Sequence, residues 1–194
     1  MSEHVIDQVV HFKSPGPKNT QILLKHAAER LKALGLNKVV IATTTGRTIE
    51  EALPYFQPLG ATIIGVTHVA GYGGSKEPEL SEAKRAELQA KGVKFVTAAH
   101  AFGGVGRGIR NKLNTYQLDE IMANTLRILG QGVKVGVEVA MMAADRGFVG
   151  ADEDIIAIGG TGLGADTAMV VRPANSHNCL DFKIREIVAK PNSL

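Results

Sequence analysis

KVVIATTTGRTIEEALPYFQPLGATIIGVT, residues 38–67, is the stretch whose reading decides the fold. A β-branched apolar run, Val39–Ala42, stops in Thr43, Thr44, Thr45, Gly46, Arg47 and Thr48. A helical pattern then runs from Thr48 to Phe56, and a second apolar run, Thr62–Thr67, follows. Both runs are apolar throughout rather than alternating. That pattern belongs to strands covered on both faces, as in parallel sheets.

The same alternation extends outward in both directions. A helix is predicted from Thr20 to Leu34, with Leu24, Ala27, Ala28, Leu31 and Leu34 at helical spacing and Asn19 or Thr20 as its cap. After residue 67 come a helix from Glu79 to Lys91, a strand from Val93 to Thr97 and a helix from Leu118 to Leu129. Ile155–Ile158, Thr167–Val171 and Lys183–Val188 read as further strands. Residues 133–146 fit two patterns. Val133, Val135, Val137 and Val139 alternate as in a strand, whereas Ala140–Asp145 favours a helix, which is the reading adopted. The whole implies a single α/β domain over residues 1–194, with three layers and a mostly parallel sheet flanked by helices.

Composition narrows the function. A lone cysteine, Cys179, excludes an internal disulfide and a Cys-rich metal site, and reads as an inert thiol. No apolar run approaches the roughly 20 residues of a membrane span. The first residues, MSEHVIDQVV, lack a signal-peptide pattern, so a cytoplasmic protein with no membrane partner is expected. The net charge of +3 is mild. Arg107, Arg110 and Lys112 are not interleaved with aromatic residues, so no nucleic-acid partner is expected.

Four unusual loops each follow a predicted strand: TTTGRT, HVAGYGGSKEP (68–78), AAHAFGGVGRGIRNK (98–112) and GGTGLGAD (159–166). The opposite connections, at 35–38 and 59–61, are short and plain. In a parallel sheet the four loops gather at the C-terminal edge of the strands, where α/β proteins bind ligands. Glycines let backbone N–H groups approach an anion, threonines add hydroxyl donors, and helix N-termini and arginines add positive charge. A phosphate is the natural guest. The alternative for the first loop is a capping box, since Thr48 and Glu51 have that spacing, and both roles can coexist. The 98–112 segment reads either as a plain surface loop or as a cover for the site. GGTGLG matches neither the dinucleotide nor the P-loop pattern. His68 and His100 lie just past strand ends, in the mouth, and no histidine pair has metal-ligand spacing with a carboxylate. Lys134, Glu138 and Asp145 share a helix stripe read as a solvent face. Asp166 reads as a turn residue or as an acceptor for a ligand hydroxyl.

Residues 38–67 and DIIAIGGTGLGADTAMVV (154–171) resemble the C-terminal domain of pyruvate kinase. FKSPGPKNT (12–20), VEVAMMAADRG (137–147), GADTAMVVRPA (164–174) and KIREIVAKP (183–191) resemble stand-alone archaeal and bacterial proteins of that superfamily. Arg47 departs from that group, where an acidic residue is usual, and matches the pyruvate kinase loop instead. The resemblance implies a pyruvate kinase C-terminal-domain-like fold, FMN as the ligand, a homo-oligomer, and no pyruvate kinase activity, which resides in a barrel domain this chain has no room for. The expected binding residues are Asn19, Thr43, Thr44, Thr45, Gly46, Arg47, Thr48, Thr67, His68, His100, Phe102, Gly103, Gly104, Arg107, Gly160, Thr161, Gly162, Gly164, Ala165, Asp166 and Thr167. Phe102, Tyr72 and Val105 are candidates to cover a flavin ring. No metal and no catalytic residue are assigned.

Overall fold

The computed structural model describes residues 4, 6–74 and 76–192. Seven strands, β1 (Val10–Phe12), β2 (Lys38–Ala42), β3 (Thr62–Thr67), β4 (Lys94–Thr97), β5 (Ile155–Gly159), β6 (Thr167–Arg172) and β7 (Lys183–Pro191), form one sheet. Six helices are α1 (Thr20–Ala33), α2 (Arg47–Phe56), α3 (Glu82–Ala90), α4 (Val105–Leu113), α5 (Leu118–Arg127) and α6 (Gln131–Asp145). The strand order is β1-β7-β6-β5-β2-β3-β4. The pairs β5-β2, β2-β3, β3-β4 and β1-β7 are parallel, while β6 runs antiparallel to both its neighbours.

Alternation of side chains across each strand splits the core in two. Val39, Ile41, Ile156, Ile158, Ala168 and Val170 pack with α1, α2 and α3 on one face. Val40, Ile64, Val66, Ile155, Ala157, Met169 and Val171 pack with α5 and α6 on the other. This explains the unbroken apolar strands: each residue has a core to enter, whichever way it points. The three-layer α/β reading therefore holds.

Of the ambiguous segment 133–146, all but Arg146, the C-cap, is helix within α6. Its valines alternate in sequence, but the helix is buried around nearly its whole circumference, so any apolar order suits it. That burial also corrects the reading of its charged stripe. Lys134 and Glu138 are buried, and Asp145 is exposed.

Three further readings need correction. The capping box does not form. α2 begins at Arg47, one residue earlier than read, and Gly46 is its cap. Thr48 is thus inside the helix, and Glu51 pairs instead with Arg47 and with the Gln21 amide. The 98–112 segment is not all loop, because Val105–Leu113 is helical and ends on Asn114 in the left-handed conformation. Strand β1 was absent from the sequence reading. It pairs with β7 in the register Val10 with Ala189.

A fold resting on these two apolar layers predicts a sharp contrast. Ile64→Ala, at a site fully shielded from solvent, lowers unfolding free energy by about 2–5 kcal/mol. Leu180→Ala, at a side chain 84 % exposed, stays within about 0.5 kcal/mol. Urea titration monitored by circular dichroism measures both.

Candidate functional site

Because β5, β2, β3 and β4 are mutually parallel, the segments leaving their C-terminal ends lie along one rim. Between this rim and α6 opens a cavity of about 610 Å³. The first loop supplies Thr43, Thr44, Thr45, Arg47 and Thr48 to its wall. The second supplies His68, Tyr72 and Glu79, the third His100 and Arg107, and the fourth Gly160, Gly162, Leu163 and Gly164. Arg127, Gln131, Lys134, Val135, Glu138, Val139 and Met142 of α5 and α6 close the inner side.

The threonine loop is shaped by two internal bonds. The Thr43 N–H donates to the Val66 carbonyl at 2.9 Å. The Thr43 hydroxyl accepts from the Gly46 N–H at 3.1 Å. Gly46 turns the chain into α2 with φ of 92°, where a side chain is strained. A Cβ there would also press on Leu88 and Leu80, at 3.0 and 3.1 Å. The N–H groups of Thr44 and Thr45, and those opening α2 at Arg47 and Thr48, have no acceptor among the described residues. Such a set of amides at a helix start suits an anion.

The glycine loop is held from behind. Asp166, fully buried, accepts from the Gly16 N–H at 3.1 Å, the Thr161 N–H at 3.2 Å and the Thr167 hydroxyl at 2.9 Å. The Thr20 hydroxyl donates to the Ala165 carbonyl at 3.2 Å and accepts from the Ala165 N–H at 3.0 Å. Gly164 has φ of 76° and lies so close to Pro17 that a Cβ would sit 2.6 Å from its Cα.

At the mouth three rings gather. The Tyr72 centroid lies 4.1 Å from that of His68 and 4.8 Å from that of His100, and the two histidine centroids are 5.2 Å apart. His68 Nδ1 is 2.6 Å from Glu79 Oε2. The Arg107 guanidinium stands 5.8 Å from the Tyr72 centroid and 3.9 Å from the buried Glu120, which Arg110 approaches to 3.2 Å. Burial pushes His100 below its ordinary value, Glu138 opposes this, and His68, Lys134 and Arg107 add to it. Burial likewise lowers the Lys134 ammonium, against the pull of Glu138. The cavity lining counts Arg47, Arg107, Arg127 and Lys134 against Glu79 and Glu138, an excess of positive charge. Among the described residues, no group of three or more His, Cys, Asp or Glu is placed to hold a metal. No helix among them is long and apolar enough to cross a membrane.

The structure thus gathers Thr43, Thr44, Thr45, Arg47, Thr48, Thr67, His68, His100, Arg107, Gly160, Gly162 and Gly164 around one cavity. The other expected residues stand behind it or elsewhere. Gly46 gives its N–H to Thr43, Asn19 donates to the Ser14 carbonyl, and Thr161, Ala165, Asp166 and Thr167 brace the loop. Asp166 accepts three hydrogen bonds within the protein and is not on the cavity wall. Phe102 is core, Val105 is 82 % exposed, and Val105, Gly103 and Gly104 do not line the cavity. Of the proposed ring covers only Tyr72 is on the wall. The sequence reading missed Lys134 and Glu138. Their signal was present: a helix apolar on every side has no solvent face, so charges on it point into a protein interior or a cavity. Nothing in the sequence marked Arg127 or Gln131.

No protein-family model matches this sequence. Among solved structures, a crystal structure of Cryptosporidium parvum pyruvate kinase is similar at 18 % identity, with a TM-score of 0.41 over 80 % of this chain and 22 % of that one. The same organism's pyruvate kinase in complex with ADP is similar at 19 % identity and a TM-score of 0.43, over 80 % of this chain and 24 % of that one. The chain spans less than a quarter of the length of these enzymes.

Two outcomes check the site's architecture. Asp166→Ala leaves three donors, two of them in buried contacts, without their acceptor and costs at least about 2 kcal/mol in denaturant titration. His100 has a folded-state pKa below its ordinary 6.5, so the unfolded chain binds the proton first. Its contribution is intact above about pH 6.5 and is lost as pH falls below that value. His100→Asn therefore flattens the loss of stability between about pH 6.5 and 5, read as melting temperature against pH.

Proposed function

We propose that this domain binds a phosphorylated small molecule at the C-terminal edge of its sheet, with FMN as the first candidate. The carrying observation is the convergence of the amides of Thr44, Thr45, Arg47 and Thr48, which have no acceptor among the described residues, the threonine hydroxyls, glycines 160, 162 and 164 and three arginines on a single cavity. Its volume falls within the range of roughly 300–1,000 Å³ usual for small-molecule sites. The residues suit a flavin nucleotide at both ends. Amides and arginines meet the phosphate, and the ring cluster at Tyr72 with Val135, Val139 and Met142 offers planar and apolar cover to an isoalloxazine. When bound, FMN supplies redox chemistry, and the protein's part is to bind and orient it. The sequence resemblance to the stand-alone group supports the same ligand, and the whole-enzyme activity of pyruvate kinase is not part of the reading. A flavin-dependent oxidoreductase is the catalytic form of this proposal.

A second reading, a sugar-phosphate or nucleotide sensor without chemistry, is favoured by Arg47. Its side chain is exposed at the rim and matches the pyruvate kinase loop in sequence.

Titrating FMN and riboflavin against the protein, by quenching of flavin fluorescence, separates the readings. FMN is expected to bind at least tenfold tighter than riboflavin, about 1.4 kcal/mol through its phosphate. Arg47→Glu should erase most of that difference while leaving riboflavin unchanged. Equal affinity for the two flavins would refute the phosphate anchor. Thermal stabilisation by sugar phosphates with none by FMN would select the sensor.

A further inference from the structure

The amides of the threonine loop do not account for Lys134 and Glu138 on the cavity wall. They stand one turn apart on α6, 3 % and 5 % exposed, joined by a short Nζ–Oε2 hydrogen bond. A buried ion pair is expensive, and apolar residues of similar volume often serve stability as well or better. Part of the pair has a structural explanation. Glu138 Oε1 accepts from the Phe102 N–H at 3.1 Å and so fixes the loop after β4. Lys134 has no comparable duty. Glu138 is the single hydrogen-bond acceptor for its three donors among the described residues, and the Phe102 ring lies 5.8 Å from Nζ. Both side chains line the same cavity as the threonine and glycine loops.

We propose that Lys134 is a nucleophilic amine that forms an imine with the carbonyl group of a phosphorylated aldehyde or ketone, with Glu138 carrying the protons. This rests on the reading that the threonine and glycine loops hold a phosphate. Such a compound shares the anchor with FMN and competes with it.

The pair makes the chemistry accessible. For a pair shielded from water the charged and neutral forms approach one another in energy, and burial together with the nearby Arg127 and Arg107 charges lowers the Lys134 pKa. Transfer of one proton from Nζ to Glu138 Oε2 leaves a free amine beside a carboxylic acid. The nitrogen lone pair forms the N–C bond, and the carbonyl π pair moves to oxygen, which takes the proton from Glu138. The nitrogen returns a proton to Glu138, giving a neutral carbinolamine. Glu138 then protonates the hydroxyl, the C–O bond breaks and water leaves. The product is an iminium ion on Lys134 facing the Glu138 carboxylate, so one cation has replaced another and no external oxidant or reductant is consumed.

The test treats the full chain with glyceraldehyde 3-phosphate and sodium cyanoborohydride, then maps modified lysines by peptide mass spectrometry. Lys134 is expected to be modified ahead of the exposed lysines. Glycerol 3-phosphate, which has the phosphate and no carbonyl, should suppress the adduct, and unphosphorylated glyceraldehyde should not give it. Lys134→Arg keeps a cation beside Glu138. It should retain the melting temperature while losing the adduct. Labelling spread over exposed lysines with Lys134 untouched, while glycerol 3-phosphate still binds, overturns the imine and leaves the phosphate site standing. No binding of glycerol 3-phosphate and no protection by it overturns both. Because the wild-type label is itself the readout, the result does not depend on a variant folding.

Discussion

Four strands running the same way, β5, β2, β3 and β4, are the constraint from which the rest of the molecule follows. A parallel neighbour cannot be reached by a tight turn, so every return passes through a helix laid on a sheet face. That requirement covers both faces and produces strands apolar at every position. It also sorts the connections. Returns from helix to strand are short, and departures from strand to helix collect on one rim. The cavity sits on that rim because topology put four flexible-sequence segments there, and α6 supplies the wall that turns a rim into a container.

The antiparallel strand β6 sharpens this arrangement. Since β6 reverses direction, the chain returns at once from the end of β5, and residues 160–166 form a compact loop instead of leading into a helix. Asp166 then ties that loop to Gly16, before α1, and to its own Thr161 and Thr167. The result is a preorganised backbone at the rim. Preorganised donors spend little entropy on capture, which is how a small number of amides can hold a strongly hydrated anion.

Most of the framework was legible in the sequence because it rests on periodicity. Val39–Ala42, Thr62–Thr67 and the Leu24–Leu34 stripe announce their structure by composition and spacing alone. The rim was legible because glycine and threonine cluster only after strands. What escaped was decided by tertiary contacts. Thr48 and Glu51 have the spacing of a cap, but Thr43 accepts the Gly46 N–H and shifts the helix start by one residue. Glycines 104, 106 and 108 argue against a helix at 105–113. An amphipathic row of Val105, Ile109 and Leu113 and the Arg110–Glu120 contact nevertheless accompany one. Lys134 and Glu138 were misread because a helical stripe of charge was assigned to water without asking whether the helix had any wet side.

Helix α4 contributes Arg107 to the cavity yet contains no buried residue. Its side chains tie to the rest of the protein through Arg107 and Arg110 at Glu120, through stacking of Arg110 on Tyr116, and through the long hydrogen bond from Arg107 to the Tyr72 hydroxyl, 3.4 Å. A segment with no fully buried residue can shift at less hydrophobic cost than opening either core layer. Movement of this helix is thereby separated from global unfolding. Its seating answers to ionic strength, because screening loosens charge pairs, while the core layers answer to denaturant.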